Sequence, residues 1–166
     1  RHEALRTALP DGADGPVQVV RPPAPVPLPK LDLAALPADR AEQEARRHLE
    51  AEAARPFDLA SGTLMRATLV RLAPDDWLLG VTLHHAVGDG WSLGVLLAEL
   101  GALYPAGDPD ALPRPALQYA DYALWQQAAL AGPAVERQLD HWRGALAGLP
   151  EALPLPTDKP RPPKRS

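Results

Sequence analysis

With 166 residues the chain is long enough to bury the core of one ordinary domain and too short for two. Its 17 basic and 21 acidic side chains leave a net charge of −4, so no basic field draws in nucleic acid or acidic lipid. No apolar run approaches the ~20 residues that span a bilayer, no signal-peptide pattern opens the chain, and the lack of cysteine excludes disulfides and thiol nucleophiles. The expected setting is cytoplasmic, with neither membrane nor nucleic acid as partner. Opening on Arg1 in a polar run and closing on a basic, proline-rich tail, the chain reads as a piece of a longer protein. Its 21 prolines cluster at 22–29, 105–115 and 150–163, between periodic segments, and so mark connections.

In chain order, residues 1–9 predict a helix end or short turn before a strand. Residues 11–15 (Asp-Gly-Ala-Asp-Gly) predict a turn, and Val17 to Val20 a short strand ahead of the first proline cluster. From Pro37 the pattern turns helical; Asp39 followed by Glu42 has the form of a capping box, and Pro56 ends the helix. Leu64 to Leu72 and Trp77 to His84 are strand-like runs around a turn at Ala73 to Asp76, which predicts an antiparallel hairpin. Leu93, Leu96, Leu97, Leu100 and Leu103 form one apolar face of a helix expected to pack on that sheet. Leu117 to Ala131, with Tyr119, Tyr122 and Trp125, and the run Val135, Leu139, Trp142, Leu146, Leu149 predict two amphipathic helices whose aromatic stripes are expected to pack in a core. Residues 151–166 have no period and read as a linker.

Chemistry concentrates between residues 76 and 92, where a strand ends in His84 and His85, a loop carries Gly88, Asp89 and Gly90, and Trp91 and Ser92 open a helix. Strand alternation puts His85 on the face of Leu79, Val81 and Leu83 and His84 on the face of Leu78 and Thr82. Rings on opposite faces do not share one metal ion, and no cysteine is present to complete a zinc site. The flanking glycines are expected to relax the backbone around Asp89. Its carboxylate either caps the next helix or pairs with a buried arginine. Alone, this pattern fits a satisfied core histidine beside a helix cap.

Three further segments change that reading. The opening Arg1-His2-Glu3-Ala4-Leu5-Arg6-Thr7, the stretch His84-His85-Ala86-Val87-Gly88-Asp89-Gly90-Trp91-Ser92, the helix Tyr119-Ala120-Asp121-Tyr122-Ala123-Leu124-Trp125 and the closing Leu155 to Pro162 follow one another in the order found in condensation domains of nonribosomal peptide synthetases. The chain resembles that family, within the chloramphenicol-acetyltransferase-like acyltransferases, although Leu9 stands where the family usually has Phe. The resemblance implies an α/β two-layer sandwich, a mixed sheet with helices packed on it. Residues 1–149 would form a partial amino-terminal lobe, and 150–166 the proline-rich segment crossing to a second lobe.

The resemblance further implies that His85 is the catalytic histidine of the pair with His84, that Asp89 is structural, and that the backbone of Gly90 lies near the reacting groups. Arg1 or Arg6 is the expected partner of Asp89. The implied reaction is peptide-bond formation, in which the amine of one carrier-bound acyl group attacks the thioester of another. The domain needs no cofactor of its own, its substrates riding on 4'-phosphopantetheine. Donor and acceptor peptidyl carrier domains and an adjacent adenylation domain are the expected partners. His84 in place of Asp counts against the heterocyclising subtype, and Gly90-Trp91-Ser92 against the epimerising one. A free-standing acyltransferase making an ester or amide shares the signature. A non-catalytic docking domain is the rival from another class, though such domains usually lose the His and Asp retained here. The 166 residues alone are expected to be inactive.

Overall fold

The computed structural model describes residues 1–108, 110–150 and 156. The chain divides into two compact units, Arg1–Ala123 and Leu124–Ser166. In the first, a 3-10 turn at Glu3–Arg6 leads into β1 (Thr7–Ala8), which pairs antiparallel with β4 (Val19–Val20). Between them β2 (Asp11–Gly12) and β3 (Gly15–Pro16) make a small hairpin, possible because Gly15 takes a left-handed φ of 114°.

The main sheet has the order β5-β6-β7, with β5 at Lys30–Asp32, β6 at Met65–Ala73 and β7 at Asp76–Leu83. β6 and β7 form the antiparallel hairpin that the sequence predicts, from Met65 opposite Leu83 to Ala73 opposite Asp76, with a bulge between Arg71 and Ala73. β5 runs parallel to β6, which makes the sheet mixed, as expected of the fold class. The sequence reading missed this strand: three residues, Lys-Leu-Asp, directly after a proline run carry too little alternation to register.

Parallel neighbours require a crossover, and α1 (Ala38–Ala54) supplies it, packing on β6 and β7. Ala41 and Ala45, one turn apart, are sealed against the sheet, and Leu64 and Val70 are fully buried beside them. The close approach continues at Gly80, where an added Cβ would collide with Leu49 Cδ2 of α1. The capping box does not form. Pro37 is the N-cap and makes no side-chain cap bond; its carbonyl accepts from the Arg40 and Ala41 N–H groups, and Asp39 lies within the first turn. A proline with φ −56° presets the helix start two residues before the acidic residue could serve.

α2 (Gly90–Ala106) ends where Gly107 turns left-handed at φ 63°. It buries no residue, and Leu93, Leu97 and Leu100 stay exposed. The leucine helix, expected to cover the sheet, therefore buries none of its residues there, and the helix that packs on β6 and β7 is α1. α3 spans Tyr119–Leu130, its start fixed by the Asp121 carboxylate, which accepts from the Gln118 N–H at 2.9 Å. α4 is Pro133–Ala145. Their aromatic stripes do not pack in a core: Tyr119 is 56% exposed, Trp125 64% and Trp142 57%. Apart from Pro150 and Pro156, the segment read as a crossing lies outside the described residues. Among the described residues no helix is long and apolar enough to cross a membrane.

Candidate active site

β7 stops at Leu83, and the chain turns at once. The His84 N–H still donates to the Leu64 carbonyl of the neighbouring segment at 2.9 Å, and the His84 carbonyl accepts from the Val87 N–H at 3.0 Å, closing a tight turn over residues 84–87. The His84 ring is committed to this turn. Its Nδ1 accepts from the Ala86 N–H at 3.0 Å, and its edge meets the Phe57 ring at 5.7 Å between centroids.

Phe57 is in turn covered by the Arg66 guanidinium, 3.7 Å from the ring centre, a cation–π contact. Arg66, from β6, donates to the carbonyls of Glu52, Arg55 and Pro56, the last groups of α1 and the residues just after it. His84 is thus the end of a chain of contacts that ties the turn to the packed side of the sheet.

His85 has different surroundings. It is exposed, makes no side-chain hydrogen bond among the described residues, and lines a cleft of about 360 Å³ with His2, Leu5, Leu83, Trp91 and Leu96. The cleft falls within the range of small-molecule sites and combines apolar walls with a few polar groups.

Asp89 is the N-cap of α2: its Oδ1 accepts from the Ser92 N–H at 2.9 Å and from the Ser92 hydroxyl at 2.8 Å. These two donors, the backbone N–H first, hold its carboxyl below the usual range. Of the two uses open to it, the cap is the one adopted. Neither arginine pairs with it among the described residues, which corrects that expectation. Arg1 Nε binds Glu99 at 2.8 Å, and Arg6 binds Glu3 at 3.0 Å and the Arg21 carbonyl. Asp89 already has local donors, and each arginine has a nearer carboxylate.

Gly88 and Gly90 are not in the left-handed region, so the turn does not depend on glycine freedom there. Gly90 opens α2, and an added Cβ would meet nothing within 4 Å; its neighbours Asp89 and Trp91, and not Gly90 itself, line the cleft.

The sequence reading passed over two residues. His2 lines the cleft, and its Nε2 lies 2.7 Å from Glu99 Oε2. The available signal was Glu99 itself, one acid in the leucine run of α2.

The strand-end histidine turn, the capped helix after it and the mixed sheet crossed by one helix make this an α/β protein, and the likeness to solved condensation domains places it in the chloramphenicol-acetyltransferase-like class. The chain superposes on the X-domain from teicoplanin biosynthesis in its complex with OxyB with a TM-score of 0.82 at 32% identity, covering 98% of this chain and 36% of that one. With the condensation domain that mediates chain release from the enacyloxin polyketide synthase, the TM-score is 0.73 at 34% identity, over 90% of this chain and 29% of that one.

The chain belongs to the condensation-domain family, whose model matches residues 1–166. It is similar to chondramide synthase cmdD of Chondromyces crocatus (44% identical, over 98% of this chain and 4% of the relative). Phosphinothricin tripeptide synthetase PhsC of Streptomyces viridochromogenes is 42% identical over 98% of this chain and 15% of its own length. Malpinin synthetase of Mortierella alpina is 41% identical over 100% of this chain and 2% of its own length. The chain therefore spans only a small part of the curated relatives it matches.

Proposed function

We propose that this chain contributes the histidine-bearing side of a condensation domain that forms peptide bonds in nonribosomal peptide synthesis. The amine of a carrier-bound acceptor attacks the thioester carbon of a carrier-bound donor; a C–N bond forms, the C–S bond breaks, and the sulfur leaves as the phosphopantetheine thiol. The amine must shed one proton as it attacks. A neutral imidazole beside it serves by accepting that proton or by holding the amine in line. The observation that carries this reading is the contrast within the pair: His84 is bonded into the turn, whereas His85 stands free in the cleft.

The partners under this reading are donor and acceptor carrier domains and an adenylation domain of the same synthetase, in the cytoplasm. Asp89 acts through structure, by fixing the start of α2 beside His85. Holding both tethered reactants in register supplies about 7–11 kcal/mol in such transfers. Activity is accordingly assigned to the complete domain, and the 166 residues alone are expected to be inactive. The test is His85→Ala in a complete condensation domain containing this chain, with loaded donor and acceptor carriers, read as dipeptidyl carrier by mass spectrometry. Loss of product supports the reading; product at the parental rate sinks it.

A second reading, docking without catalysis, is favoured by the likeness to the X-domain found in complex with OxyB. It predicts that the parent domain makes no dipeptide from any loaded carrier pair, and that His85→Ala leaves its affinity for a partner protein unchanged.

A further inference from the structure

His2 is a second imidazole lining the cleft, and the chemistry above leaves it unused. Its Nε2 lies 2.7 Å from Glu99 Oε2, and the same oxygen receives Arg1 Nε at 2.8 Å. Arg1 is itself fixed, donating to the Leu112 and Pro113 carbonyls and accepting at its own carbonyl from Gln118 Nε2. Glu99, with a side chain 19% exposed, is therefore held in place from outside the cleft. The Arg1 hydrogen bond, opposed by burial and aided by His2, keeps its carboxyl below the usual range. An ionised carboxylate only accepts hydrogen bonds, so the hydrogen in the short contact belongs to His2 Nε2. A neutral imidazole has one N–H, which leaves Nδ1 with a lone pair. The ring makes no other hydrogen bond among the described residues.

We propose that Glu99 is a positioning residue that fixes His2 in the Nε2–H tautomer, so that His2 Nδ1 accepts a hydrogen bond from the attacking amine beside His85. The inference rests on the condensation reading of the cleft. His2 transfers no proton in this role; it orients the amine by one of its N–H bonds. The logic is that of a carboxylate which selects a histidine tautomer and thereby decides which ring nitrogen is offered to the substrate.

Two measurements test it. The tautomer of His2 in the complete domain, selectively labelled at histidine, is read from two-bond 15N–1H correlations at about pH 8.5, where an ordinary imidazole is neutral. The Nε2–H form is expected, and an Nδ1–H ring overturns the inference without recourse to any variant. Glu99→Gln in the complete domain then replaces an acceptor by an amide that can donate to Nε2 and release the tautomer. It is expected to lower kcat on the order of 10²-fold, the worth of a misplaced reacting group, while leaving the KM for the acceptor close to parental. Parental kcat in Glu99→Gln beside an inactive His85→Ala overturns this inference and leaves the role of His85 standing. An active His85→Ala overturns the reading of the cleft and, with it, the orienting role assigned to His2.

Discussion

α1 and α2 have the same length, 17 residues each, and opposite fates. α1 is crowded with Glu and Arg, yet Ala41 and Ala45 are sealed on the sheet and Leu49 sits over Gly80. α2 is mostly leucine, alanine and glycine, yet none of its residues is buried. Total apolar content does not decide which helix covers a sheet. A narrow stripe of small side chains one turn apart lets two backbones approach, and the charged remainder of α1 faces water. A helix that is apolar on several sides is ordinarily buried all round, and α2 is not: Val95 and Leu96 wall the cleft, and Leu93, Leu97 and Leu100 remain exposed. One side of the protein is built for packing and the other for access, and the two histidines divide between them.

The sharpest way to break this comparison is to exchange chemistry for stability at the histidine pair. His85→Ala should reduce dipeptide formation by the complete domain ~10²- to 10⁴-fold, the usual worth of a positioned acid–base group, with an unchanged Tm. His84→Ala should do the reverse, lowering Tm by loosening the Phe57 contact and the Ala86 bond more than it lowers kcat. A Tm loss in His85→Ala as large as that in His84→Ala would erase the division. On the packed side, Leu64→Ala should cost about 2–5 kcal/mol in denaturant unfolding, since Leu64 is fully buried. Gly80→Ala should cost less, up to about 1 kcal/mol, because the half-buried Leu49 side chain must swing its Cδ2 aside. An unchanged midpoint in Gly80→Ala would mean that α1 rides higher on the sheet than described.

The smallest effect is expected at Asp89, where loss of one exposed helix cap in Asp89→Ala should lower Tm slightly and leave the protein soluble. Its folded pKa is depressed, so its contribution is present above the ordinary carboxylate value and fades as pH falls through the lower folded one. The Tm difference between parent and Asp89→Ala should therefore shrink only under strongly acidic conditions. A constant difference down to the lowest measurable pH would assign the effect to something other than the ionised cap.

The hairpin was legible because the alternation of β6 and β7 and the Pro74-Asp75 turn are local signals. The same locality made the histidine turn legible, but β7 stops at Leu83, so the different surroundings of His84 and His85 come from the turn and not from the strand alternation that the sequence suggested. Asp89 was legible only as a pair of alternatives, since a cap and an ion pair call for the same residue; the nearness of Ser92 decided between them. The clamp of Arg1 on Glu99 joins residues 98 apart, and no spacing rule reports such a partner. Nor does spacing tell a stripe that is covered from one that is not, which is why α2 and the aromatic faces of α3 and α4 were expected in a core and were found exposed.

The parallel pairing of β5 with β6 carries a consequence for the order in which the fold assembles. β6 and β7 are joined by a two-residue turn and close on the microsecond scale of an isolated hairpin. Asp32 and Arg71, bridged across β5 and β6, are 39 residues apart, and His2 and Glu99 are 97 apart. Loop-closure entropy places such contacts later. On refolding, His84 and His85 are thus expected to reach their turn early, and the cleft in which His85 sits to gain its His2 wall later.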